Sequence, residues 1–159
     1  EAHLQEAITR VARTGQSASL MFIDLDNFKP INDNHGHLAG DAMLWAVANV
    51  LRNGVRDSDV VARLGGDEFA VILVGCSLRR ARRIAGELLH GIGGLSIPWE
   101  QHTIRVGASI GIASIRAGMS VDEAVAAADV QCYRAKASGR NTVQSETDGG
   151  TEFPPSPVA

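Results

Sequence analysis

The sequence predicts an α+β domain in which an antiparallel sheet is covered by helices on one face. Three observations carry that expectation. The elements run strand, helices, strand, strand, helix, strand, helix, which contains the split βαβ pattern of ferredoxin-like folds. Gly65-Gly66 stands between two apolar runs, where a tight hairpin needs residues that accept positive φ. From Thr103 to Ala113 apolar and small or polar residues alternate, the period of a strand.

Leu4, Ile8 and Val11 recur at helical spacing, so the first fifteen residues read as an amphipathic helix stopping near Gly15, the end of a linker. Ser17–Ile23 is a short apolar run between a glycine and Asp24, hence a buried strand with an acidic end. Residues 28–36 carry Lys29, Pro30, Asn32 and Asp33, a mixture suited to a short helix or turn. Met43, Val47, Val50 and Leu51 mark a helix from about Asp41 to Asn53, stopped at Gly54. Val60–Leu64 and Phe69–Val74 are the hairpin strands, which puts Asp67 and Glu68 at or beside its tip.

Ala81, Ile84, Ala85, Leu88 and Leu89 define the next helix, with Arg79, Arg80, Arg82 and Arg83 as a solvated face. In the strand predicted over 103–113, Ile104, Val106, Ala108, Ile110 and Ile112 share one face. Arg105, Gly107, Ser109 and Gly111 share the other, small enough to admit a helix or ligand. Ser120 and Glu123 form a capping box for the last helix, which Gly139 ends. From Ser145 the chain is polar and rich in Gly and Pro, and residues 145–159 read as a disordered tail.

Composition removes several classes of function. The chain has 159 residues, 45% hydrophobic and 21% charged, ordinary values for one globular domain. No apolar run reaches the ~18 residues of a membrane span and no signal-peptide pattern opens the chain, so the expectation is a cytoplasmic protein without a membrane segment. A formal net charge of −3 gives no basic field for nucleic acid. Cys76 and Cys132 stand apart, as buried thiols of a reducing compartment do.

Asp24 ends a strand and Asp67 and Glu68 sit on the hairpin, so a split βαβ arrangement brings three carboxylates together. At ~5 Å and an effective dielectric of ~20, each pair of charges repels by about 3 kcal/mol. A divalent cation relieves that repulsion, and oxygen ligands select magnesium, manganese or calcium over zinc. Alone, a Gly-Gly-Asp is a turn and Asp24 and Asp26 are strand-end caps. His35 and His37 suit pocket or capping work better than a metal pair.

Three separated segments resemble one family. Arg63–Phe69 reads RLGGDEF, similar to the signature of the bacterial GGDEF-domain diguanylate cyclases. Asp24–Asp41 reads DLDNFKPINDNHGHLAGD, similar to that family's DxDxFKxxNDxxGHxxGD, and Ala127–Asn141 (AADVQCYRAKASGRN) resembles its AADxALYxAKxxGRN. Together they cover about residues 16 to 143 and point to a GGDEF domain over 16–144. The resemblance implies a palm-type relative of the ferredoxin-like sheet. It implies condensation of two GTP into cyclic di-GMP with release of two pyrophosphates, across a homodimer by two-metal phosphoryl transfer. Family members usually carry an LTGLxNR-like segment before the first helix, a point at which this sequence departs from the pattern, and the resemblance implies an upstream sensor domain in the full-length protein.

Carried over by position, the resemblance makes Asp24, the Leu25 carbonyl, Asp67 and Glu68 ligands of magnesium, with manganese as substitute. It gives Asp67 or Glu68 a part in deprotonating the 3′-hydroxyl, and lets Gly65 and Gly66 approach the nucleotide closely. Asn32 and Asp41 would read guanine, with Phe28 and His37 in the same pocket. Lys29, Lys136 and Arg140 would hold phosphates; the two lysines are the only ones beside thirteen arginines. Arg56 and Asp59 form an RxxD, in isolation a surface ion pair worth a few tenths of a kcal/mol. At this spacing it resembles the family's inhibitory product site. Two other classes compete: a catalytically silent GTP or cyclic di-GMP sensor, whose usual mark is a damaged signature, and an RNA-binding ferredoxin-like module. The latter needs exposed sheet aromatics and a basic face, whereas aromatics are 4% of this chain.

Overall fold

The computed structural model describes residues 1–147. The elements in chain order are α1 (Ala2–Thr14), β1 (Ala18–Asp26), α2 (Lys29–His35), α3 (His37–Asn53), β2 (Val60–Gly65), β3 (Glu68–Val74) and α4 (Leu78–Gly93). After them come β4 (Ile97–Trp99), β5 (His102–Ile104), β6 (Gly107–Ile115), α5 (Val121–Ala137) and β7 (Thr142–Ser145). The main sheet has the order β2-β3-β1-β6-β7, with β4 and β5 as a separate hairpin. Its first four strands pair antiparallel, in the order the split βαβ pattern demands. Gly65 (φ 145°) and Gly66 (φ 51°) make the expected hairpin turn.

Helices cover both faces of the sheet, a difference from the one-sided expectation. The crossover helices α3 and α4 share one face, packing Met43, Val47, Leu51, Ala85 and Leu88 over Met21, Ile23, Val71 and Ile110. On the other face α1 and α5 pack Leu4, Ile8, Ala128 and Cys132 over Leu20, Phe22 and Ala113. All nine residues of β1 are therefore buried. The sequence sign of the second layer is Gly111, where an added Cβ would lie 2.1 Å from the Cys132 nitrogen and 2.4 Å from the Ala128 oxygen. The missing side chain is what lets α5 lie on β6.

The strand expected over 103–113 is two strands. Residues 102–104 pair with β4, and β6 begins only at Gly107. Ile104 and Val106 stay buried across the break, so the alternation persists while the hydrogen-bonding partner changes. The tail expected from 145 is also displaced. Ser145 ends β7, which pairs parallel with β6, and the Glu146 carboxylate accepts from the Ser114 N–H at 3.0 Å. The free edge of β6 captures this polar segment because its backbone groups need partners. The remainder of that expectation, residues 148–159, lies outside the described residues. Arg82, expected on a solvated face, donates to Ser145 Oγ at 3.2 Å.

Candidate active site

Along β1 the residues facing α5 are Leu20, Phe22, Asp24 and Asp26, so the period of two carries an apolar stripe into two acids. Asp24 sits opposite Glu68 of β3 and Ser109 of β6. The Leu25 N–H donates to the Asp67 carbonyl at 3.0 Å, tying the hairpin turn to the end of β1. Lys136, in the last turn of α5, donates its ammonium to Asp24 Oδ2. Thus the segments around 24, 67 and 136 meet at one end of the sheet.

The electrostatics follow from that meeting. Burial pushes the Glu68 carboxyl above its ordinary value, and the charges of Asp24 and Asp67 push it further. Burial works against the charge on Lys136, but its hydrogen bond to Asp24 and the Asp24 charge outweigh it and hold the ammonium above its usual range. Lys136 therefore stays charged at neutral pH.

Asp26 was expected only to cap the next segment, and the structure gives it more distant partners. Its Oδ1 accepts from Ser109 Oγ at 2.8 Å, its Oδ2 accepts from the Asn141 N–H at 2.8 Å, and Arg140 Nη1 lies 3.9 Å away. Arg140 and Asn141 both adopt positive φ, 66° and 46°. A carboxylate 3% exposed thus fixes the loop that carries Arg140. The available signal was the DxD spacing, which puts Asp26 on the face of Asp24.

On α2 and α3, Phe28 is buried, and Lys29, His37 and Asp41 are exposed. Asn32 lies against α3 because Gly40 has no side chain: a Cβ there would stand 1.8 Å from Asn32 Oδ1 and 3.1 Å from the Phe28 ring. In the sequence Gly40 is one position of the DxDxFKxxNDxxGHxxGD-like segment, with nothing local to show its contact with Asn32. Arg63 donates to the Gly66 carbonyl through Nε (3.0 Å) and Nη2 (2.8 Å), bracing the glycine turn.

Arg56 and Asp59 are not a surface pair. The Asp59 side chain is 1% exposed and accepts from the backbone N–H of Arg56 (2.9 Å) and of Val74 (3.0 Å). Arg56 Nη2 donates to the Val74 carbonyl, leaving its guanidinium half-exposed.

Comparison with known proteins places this geometry. The family model described as diguanylate cyclase, GGDEF domain, matches residues 1–142. The chain belongs to the GGDEF domain family. This GGDEF domain is 42% identical over 144 residues to the probable diguanylate cyclase DgcE of Escherichia coli, covering 90% of the chain and 13% of the relative. It thus spans a small part of that protein. The solved GGDEF domain of YfiN (TpbB) from Pseudomonas aeruginosa superposes with a TM-score of 0.85 at 35% identity, covering 92% of each chain. The coiled coil and GGDEF domain of DgcB from Caulobacter crescentus, solved with c-di-GMP, gives 0.85 at 26% identity, over 91% of this chain and 78% of that one.

The donor set of this GGDEF domain fits a hard divalent cation. Asp24 and Asp67 offer carboxylates and Leu25 a carbonyl, and magnesium is commonly held by one or two carboxylates plus substrate phosphates. Among the described residues no three His, Cys, Asp or Glu side chains form a ready cage. No helix among the described residues is long and apolar enough to cross a membrane.

Proposed function

We propose that this domain is a diguanylate cyclase, condensing two GTP into cyclic di-GMP with release of two pyrophosphates. What supports the reading is the meeting of Asp24, the Asp67–Glu68 turn and Lys136 at one sheet end. Each 3′-hydroxyl attacks the α-phosphorus of the other GTP; the new P–O bond forms as the bond to pyrophosphate breaks, and the hydroxyl proton passes to Asp67 or Glu68.

Magnesium, or manganese, held by Asp24, the Leu25 carbonyl and the 67–68 turn would neutralise triphosphate charge and acidify the attacking hydroxyl. Gly65 and Gly66 admit the nucleotide backbone-close, and Lys29, Lys136 and Arg140 bind phosphate oxygens. Asn32 and Asp41, with Phe28 and His37 beside them, read guanine; Asp41 accepts from the N1–H and N2 amino group that adenine lacks. Because each copy holds one GTP, the active unit is a homodimer, and Arg56 with Asp59 forms a product site that inhibits it. We assign catalysis to residues 16–144, regulated by an upstream sensor domain, in the cytoplasm.

The test is incubation with GTP and magnesium over a range of protein concentrations, following cyclic di-GMP and pyrophosphate by chromatography. Two pyrophosphates per cyclic dinucleotide, abolished by Asp67→Ala, is the expected result. Absence of product even when two copies are fused through a dimeric partner would replace the reading with that of a silent sensor.

A further inference from the structure

A groove of about 370 Å³ runs between α3 and β2, with Asp41, Leu44, Trp45 and Phe69 in its lining. Trp45 is 71% exposed, and an indole left in water on a helix surface contributes little to folding. It stands one helical turn after Asp41, so the two side chains share a face about 6 Å apart along the axis. Leu44, buried, lines the same groove beside them. An acceptor-only carboxylate, an apolar side chain and a flat π surface in one groove are the complement of a purine whose edge carries donors. Asn32 Oδ1, against Gly40, adds a second polar group at the same end of α3.

We propose that Trp45 is a base-binding residue, its indole forming the platform on which the guanine base stacks while Asp41 reads the base edge. The inference rests on the guanine reading of Asp41 above. Base stacking on an aromatic side chain is sequence-tolerant, so Trp45 supplies affinity and Asp41 the choice of base.

Trp45 and Trp99 are the two tryptophans of the chain, so a Trp99→Phe protein emits from Trp45 alone. The probe is 3′-deoxy-GTP with magnesium, which lacks the attacking hydroxyl and cannot turn over. It should quench Trp45 emission, and 3′-deoxy-ATP at the same concentration should not. A Trp45→Phe protein, emitting from Trp99, should show no quenching, which keeps the test intact should Trp99→Phe fail to fold. In turnover assays Trp45→Ala should raise the half-saturating GTP concentration at least about fivefold, with kcat within twofold, and Trp45→Phe should restore most of the affinity. Saturating 3′-deoxy-GTP binding by calorimetry with unchanged Trp45 emission, and an unchanged half-saturating GTP concentration in Trp45→Ala, would overturn the platform and leave the cyclase reading standing. No calorimetric binding of 3′-deoxy-GTP to the unmodified chain would overturn the nucleotide reading, and the platform with it.

Discussion

Gly111→Ala is the sharpest test of how the second helical layer holds the site. The new methyl would meet backbone on three sides: the Cys132 nitrogen at 2.1 Å, the Ala128 oxygen at 2.4 Å and the Gln131 carbonyl carbon at 2.6 Å. Ordinary contacts settle near ~3.5 Å, and backbone inside a helix cannot rotate away as a side-chain tip can. The helix α5 must therefore retreat by about 1 Å along a face that buries Ala124, Ala128 and Cys132. Overpacking of this kind costs about 1–3 kcal/mol, which for a chain of this length lowers Tm by roughly 2–4 °C per kcal/mol. Gly86→Ala is the matched control: Gly86 is an exposed interior position of α4 with open space around it. There the same substitution should stabilise by about 0.5–1 kcal/mol. Because α5 also carries Lys136 onto Asp24, Gly111→Ala should lose more activity at 25 °C than its unfolded fraction explains. Thermal melts and initial rates read both effects. A Gly111→Ala protein melting with its parent would refute the argument that α5 lies on β6 through a missing side chain.

Three further outcomes are expected. Gly40→Ala displaces the flexible Asn32 amide rather than backbone, so Tm should hold while the half-saturating GTP concentration rises up to about tenfold, one hydrogen bond's worth. Burial pushes the Cys132 thiol up to about 11 from 9.0, so at pH 8 its thiolate is about 100-fold scarcer than in the unfolded chain, and a disulfide reagent should label it only as fast as urea or heat opens the protein. Since the folded form holds that proton more tightly, the associated stability is present below pH 9 and lost as pH rises towards 11, and Cys132→Ala should flatten melting temperature across that window. Arg56→Ala should abolish inhibition by cyclic di-GMP with Tm little changed, whereas Asp59→Ala should also destabilise by about 1–3 kcal/mol, because it removes the acceptor of two hydrogen bonds, from the N–H groups of Arg56 and Val74.

Most of the scaffold was legible because the sequence states it locally. The periodicity of 81–89, the αL stop at Gly15, the Ser120–Glu123 capping box and the Gly65-Gly66 turn each depend on residues close in sequence, and each is present. The features that were not legible depend on partners far along the chain. The break after Ile104 is invisible in the alternation because both halves bury the same face. The strand β7 is polar and exists only because β6 offers it an edge. Asp26 looks like a local cap until Asn141, 115 residues later, comes to its carboxylate. The candidate site residues are legible through a resemblance, and Gly111 as a small position on its strand, whereas the tasks of Gly40 and Asp26 appear only in the three-dimensional contact.

The position of Arg56 and Asp59 constrains how product could act. Both grip Val74, at the end of β3 opposite to Glu68. Six residue steps at ~3.4 Å put those strand ends about 20 Å apart. On the proposed function, a cyclic dinucleotide bound at Arg56 would touch neither the acids nor Lys136 and would not compete directly with GTP. The core between them is packed with Val71 and Leu73, fully buried. On the proposed function the route left is the placement of one copy against the other, with product bridging Arg56 to another surface so as to hold two GTP-loaded domains apart. Inhibition on the proposed function should therefore be noncompetitive with GTP and should weaken in any form of the protein whose two copies are held face to face.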